Sequence, residues 1–146
     1  MKKLIALCLV AVTLLSFTGC KSNSGTFAIE EDGDIIKITL DNFCGDKKIE
    51  IEHPTPSGET LFCSVVLVEG KLRAYSTDYR VFNTEQKFFD VESGDGREND
   101  GVYVDEGVTR ITLTFIADSS TSGIAYLCFK RNVVNNLPME AFDMEK

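Results

Sequence analysis

Residues 110–130 read Arg-Ile-Thr-Leu-Thr-Phe-Ile-Ala-Asp-Ser-Ser-Thr-Ser-Gly-Ile-Ala-Tyr-Leu-Cys-Phe-Lys. Ile111, Leu113 and Phe115 fall on one side of an alternating pattern, with Arg110, Thr112 and Thr114 on the other. Ala125, Leu127 and Phe129 then alternate with Tyr126, Cys128 and Lys130. A period of two carried by β-branched and aromatic residues marks a half-buried strand. Between the two arms, residues 118–123 are all turn formers, which predicts a hairpin with its turn there.

The same period extends towards the N-terminus. Phe27 and Ile29 alternate with Ala28 and Glu30, and Asp32-Gly33 supplies the backbone of a tight hairpin turn. Ile36, Ile38 and Leu40 follow, then a turn at Asn42-Phe43-Cys44-Gly45-Asp46, then Ile49 and Ile51. Residues 61–68 are apolar on both faces, as in a central strand covered on both sides. Residues 71–76, 86–91 and 102–104 are weaker strands. Eight or nine short strands separated by polar turns predict an all-β fold. The expected architecture is an antiparallel β-sandwich over residues 26–131, jelly-roll-like ahead of immunoglobulin-like. Ile38, Ile51, Val65, Leu113 and Leu127 should be buried. Helical period is confined to the tail, residues 132–146. There Pro138 opens a turn with Met139, Phe142 and Met144 on one face, and a frayed tail is the alternative.

A length of 146 residues fits one domain. With 15 basic against 23 acidic residues the net charge is −8, which excludes a phosphate-binding surface and so nucleic acid as a partner. No long apolar run follows residue 17, which excludes a polytopic membrane protein.

Met1-Lys2-Lys3 is a short basic start, and the stretch from Leu4 to Phe17 is apolar apart from Thr13 and Ser16. This is the layout of a secretory signal peptide. Leu15-Ser16-Phe17-Thr18-Gly19-Cys20 resembles the lipobox of bacterial lipoproteins, with Phe17 where Leu is usual. The resemblance covers residues 1–20 only. It implies removal of residues 1–19 and acylation of the Cys20 thiol. Residues 20–25 then form the lipidated end and a flexible polar tether. Loss of Lys2 and Lys3 leaves 13 basic against 23 acidic residues, a charge of −10 that anionic head groups repel. The implied address is extracytoplasmic, on a bacterial cell membrane. Lys21 follows the Cys in place of the Asp that resembles an inner-membrane retention signal.

Candidate chemistry is sparse. Cys44, Cys63 and Cys128 remain after processing, an odd number with no zinc spacing. His53 is the sole histidine and reads as a strand-end residue, since no nucleophile motif accompanies it. The Gly-rich segment from Asp90 to Glu106 holds seven carboxylates and one base, Arg97. Asp90, Glu92, Asp95, Glu98 and Asp100 are candidate Ca2+ ligands, because hard cations take several oxygens. A solvated acidic loop is the competing reading, and the order of residues does not match a calcium-loop motif. Tyr75, Tyr79 and Arg80 form a candidate ligand or partner patch, with edge packing as the alternative.

These features describe a membrane-anchored, non-enzymatic β-sandwich that binds a protein or an envelope glycan. The alternative readings are a carbohydrate-binding module, weakened by the absence of Trp, and a carboxylate-based hydrolase, weakened by the single His.

Overall fold

The structure, a computed structural model, describes residues 22–78 and 84–137. The expected signal peptide and acylation site at residues 1–20, Tyr79, Arg80 and the tail from Pro138 onward lie outside the described residues. The elements are β1 (Ser24–Asp32), β2 (Ile35–Thr55), β3 (Glu59–Glu69), β4 (Lys71–Asp78), β5 (Thr84–Glu92), β6 (Glu98–Val104), β7 (Val108–Cys128) and α1 (Arg131–Asn135). All strand pairs are antiparallel.

Two predicted turns are absent. Residues 118–123 do not close a hairpin, and residues 42–46 do not end a strand. Each lies inside a strand of 21 residues, β7 and β2 respectively. The two strands pair along their whole length, and their turn-forming stretches face each other where the register shifts at Phe43↔Thr121. The small, polar residues that favour a turn here let both strands bend together without breaking the ladder. Asn42 takes φ 51°, a left-handed angle that its side chain tolerates. Thr121 is fully buried in the corner, with its Oγ1 2.9 Å from Ser119 O and 3.2 Å from Lys71 O.

The bend divides one hydrogen-bonded surface into two layers. In the first layer, β1, residues 35–40, residues 121–128, β3 and β6 lie side by side. In the second, residues 45–55, residues 108–117, β4 and β5 do so. The pairings are nested: the start of β2 with the end of β7, then the rest of β2 with the start of β7, then β3 with β6, then β4 with β5. A long hairpin rolled up in this way is a jelly roll, and the fold is an antiparallel β-sandwich of that kind. Gly70 makes the step from β3 to β4 between layers. It sits at φ 82°, and a Cβ there would lie 2.4 Å from Ser120 O.

The core between the layers holds Ile38, Val65, Leu113 and Leu127, all at 0% exposure as expected. Ile51 is half-buried, because it sits at the open end of the sandwich. Phe88 and Phe89 are both buried although they are consecutive. A bulge between the pairs Ala74↔Phe89 and Tyr75↔Lys87 turns both rings inward, which is why residues 86–91 alternate poorly.

The chain joins the sheet earlier than its flexible composition suggested. Ser24 pairs with Cys44, and Asp46 N donates to Asn23 Oδ1 at 3.0 Å. A short helix, α1, follows β7 before Pro138. In α1, Val134 is buried against the outer face of the first layer. Arg97 anchors it there by donating to Ser64 Oγ (2.6 Å), Val134 O (2.5 Å) and Leu137 O (3.0 Å). No helix among the described residues is long and apolar enough to cross a membrane.

Candidate functional site

At one end of the sandwich the two layers part into a cleft of about 560 Å³. This volume is within the range of small-molecule sites. Its floor continues the core: Ile36, Ile51, Leu61, Leu127 and Phe129. These positions are inward because they extend the alternation of Ile38, Ile49, Cys63 and Ala125. Its rim carries Glu31 and Asp34 from the β1–β2 turn, Glu50 and Glu52 from β2, and Glu59 from β3.

His53 is the distinctive side chain of this cleft. It keeps the inward phase of Ile51 as β2 runs past the core. Its ring stacks on Phe129 with centroids 3.8 Å apart and planes 11° from parallel. The ring is held in that plane by Glu59, whose Oε2 lies 2.7 Å from His53 Nε2. Both side chains keep more than a third of their surface exposed. The pair therefore presents a fixed, flat, partly wet surface, not a closed core contact.

The cations near the rim are engaged. Lys130 pairs with Asp34, and Arg110 reaches Glu52 at 3.1 Å and Glu50 at 3.7 Å. Hydrogen bonding and charge from Lys130 hold Asp34 below the usual carboxylate range, and Asp34 raises Lys130 in turn. Carboxylates outnumber the basic groups that answer them, so the cleft favours neutral or hydrogen-bond-donating ligands over anions.

The five carboxylates nominated for Ca2+ are dispersed. Asp90 sits on the second layer between Lys71 (3.2 Å) and Lys87 (3.3 Å). Burial pushes its pKa up, but hydrogen bonds and charge from both lysines outweigh this and leave it lowered. Asp95 closes a turn by accepting from Glu92 N at 2.9 Å. Asp100 accepts from its neighbour Gly101 N at 2.7 Å, and Glu98 is exposed on β6. Among the described residues, no group of three His, Cys, Asp or Glu side chains is placed to hold a metal ion. Alternating strand faces and the turn at residues 93–96 separate groups that are close in sequence.

Tyr75 is half-buried on the outer face of the second layer, opposite Thr114 of β7 and Lys87 of β5. Its proposed companions Tyr79 and Arg80 lie outside the described residues. Cys63 and Cys128 are buried free thiols, and burial pushes Cys63 up to about 12, which makes it unreactive. Cys44 is disulfide-bonded.

Neither Phe129 nor Glu59 stood out in the sequence as a site residue. They are 76 and six positions from His53, and only the jelly-roll closure brings Phe129 to it. The one local signal was the phase of His53, in step with Ile49 and Ile51.

No family model and no curated protein matches the chain. Among solved structures, it is similar to a family 29 carbohydrate-binding module with 12% identity and a TM-score of 0.38, covering 74% of each chain. A variant of such a module complexed with cellulohexaose gives 14% identity and a TM-score of 0.41, covering 74% of this chain and 76% of that one. Another, complexed with mannohexaose, gives 14% identity and a TM-score of 0.39, with 74% and 77% covered.

Proposed function

We propose that this chain is a lipid-anchored, extracytoplasmic binding module, without catalytic activity, whose end cleft holds a neutral carbohydrate unit. The stacked His53–Phe129 pair beside an apolar floor is the observation that carries this reading. The C–H face of a sugar ring packs against a flat aromatic or imidazole surface, while its hydroxyls donate to carboxylates. Glu31, Glu50, Glu52 and Glu59 supply such acceptors around the rim. With Lys130 and Arg110 already paired, acidic sugars would meet uncompensated carboxylates. The anchor rests on the likeness of residues 15–20 to a lipobox, and Asn23 then places the sheet within a few residues of the lipidated Cys20.

Because His53 is the only histidine, its imidazole proton signals are unambiguous in a nuclear magnetic resonance titration. Adding soluble neutral oligosaccharides of glucose, mannose and galactose should move these signals with saturation for at least one sugar. Phe129→Ala should abolish the saturable shift. Signals that stay fixed across the whole panel would remove the cleft from consideration as a carbohydrate site.

A further inference from the structure

The contact between Glu59 and His53 fixes more than a ring plane. Glu59 Oε2 lies 2.7 Å from His53 Nε2, a distance that requires a proton between them. An ionised carboxylate has none to give, so the imidazole carries it on Nε2. A neutral imidazole holds a single ring proton, so its other nitrogen is then a bare acceptor.

That other nitrogen, Nδ1, has no hydrogen-bond partner among the described residues. Among them only Thr112 Oγ1 is a buried side-chain polar atom without a partner, so Nδ1 reaches solvent. The ring that carries it is fixed, with Phe129 flat against one face at 3.8 Å and Glu59 on Nε2. The polar side chains around it add acceptors. Glu31, Glu50 and Glu52 only accept when ionised, and Lys130, the cation of the lining, is held by Asp34.

We propose that Glu59 is a positioning residue that keeps the His53 proton on Nε2, and that Nδ1 selects a ligand hydroxyl that donates to it. This rests on the reading of the cleft as a carbohydrate site. It narrows the ligand to a glycan whose hydroxyls beside the stacked C–H face are unsubstituted. An O-methyl or O-acetyl group at that place brings only acceptors to an acceptor, and both sides stay unpaired.

Nitrogen-15 chemical shifts of the single imidazole report where the proton sits. They are read on the full-length protein in detergent at about pH 9, above the range in which histidine ordinarily titrates. Nε2 should be protonated and Nδ1 bare, and a proton on Nδ1 overturns the proposal. Glu59→Gln, whose amide can donate or accept, should move both signals towards those of a mixture. Signals unchanged in that variant would deny Glu59 the positioning role. Calorimetry then compares the oligosaccharide that saturates the cleft with its deoxyfluoro derivatives, in which one hydroxyl at a time becomes a fluorine that cannot donate. At one position this should weaken binding about tenfold, as loss of one hydrogen bond does. The same replacement should have no effect on His53→Phe, which keeps a flat ring on Phe129. If every derivative loses the same factor on both proteins, Nδ1 selects nothing: the proposal falls and the carbohydrate reading stands. If no oligosaccharide binds at all, both fall.

Discussion

The backbone amide of Asn42 donates to Ser122 Oγ at 3.0 Å, joining residues 80 positions apart at the point where both long strands change layers. Ser120 Oγ adds a bond to Asn42 Oδ1 at 3.2 Å. The corner of the sandwich is thus a specific polar joint between β2 and β7.

That joint leaves no room beside it. A Cβ on Gly25 would lie 2.1 Å from Asn42 O. Gly25→Ala should therefore destabilise the protein by more than the roughly 1 kcal/mol typical of a point substitution. Asn42→Gly, which keeps the left-handed angle, should be milder than Asn42→Val. Urea denaturation curves give the comparison, and equal midpoints for the two Asn42 variants would contradict it.

The core should respond according to depth. Leu113 is fully buried, and Leu113→Ala should cost about 2–5 kcal/mol. Ile51 is half-exposed at the cleft, so Ile51→Ala should cost less. The two midpoints, measured at the same denaturant slope, decide the order.

The anchor has a direct test. Cys20→Ser should move the protein from the membrane fraction to the soluble fraction. A membrane-bound Cys20→Ser protein with an intact N-terminus would point to an uncleaved helix instead.

The exposed pair of Asp34 and Lys130 gives a pH signature at both ends. Asp34 is lowered by Lys130, so its contribution is present above the ordinary carboxylate pKa and is lost as pH falls through its folded value. Lys130 is raised, so its contribution is present below its ordinary pKa of 10.5 and is lost as pH rises through its folded value. Lys130→Met should flatten both limbs of the stability–pH curve slightly, because the pair is solvent-exposed. Unchanged limbs in that variant would dismiss the pair as a stability element.

Calcium should raise the melting temperature no more than sodium chloride of equal ionic strength does, because the nominated carboxylates do not converge. Asp95→Asn and Asp100→Asn should leave that response as it is. A calcium-specific rise lost in either variant would restore the loop as a site.

The strand content and inward faces were legible because period two is a local property. Ile38, Val65, Leu113 and Leu127 needed only their neighbours to be placed in the core. The corners were misread for a physical reason. Asn42, Ser120 and Ser122 favour turns when considered alone, yet here their polar groups bond to each other across two strands. Phe88-Phe89 was obscured by a bulge whose partner strand lies elsewhere in the chain. The cleft was not legible at all. It depends on Phe129 meeting His53, a contact made by closure of the sheet and not by spacing.

The nesting of the strands also governs when this chain can fold. β2, the longest early strand, has β7 as its partner along its whole length, and β7 is the last strand of the roll. Until residue 128 is available, β2 has only β1 beside it, and β3 only β6. Neither layer can close, so the core remains open to water. A polypeptide being threaded through a membrane end-first meets the same condition. Its leading strands stay unlocked until the final one has passed, which keeps the whole chain in a form that a narrow channel accepts.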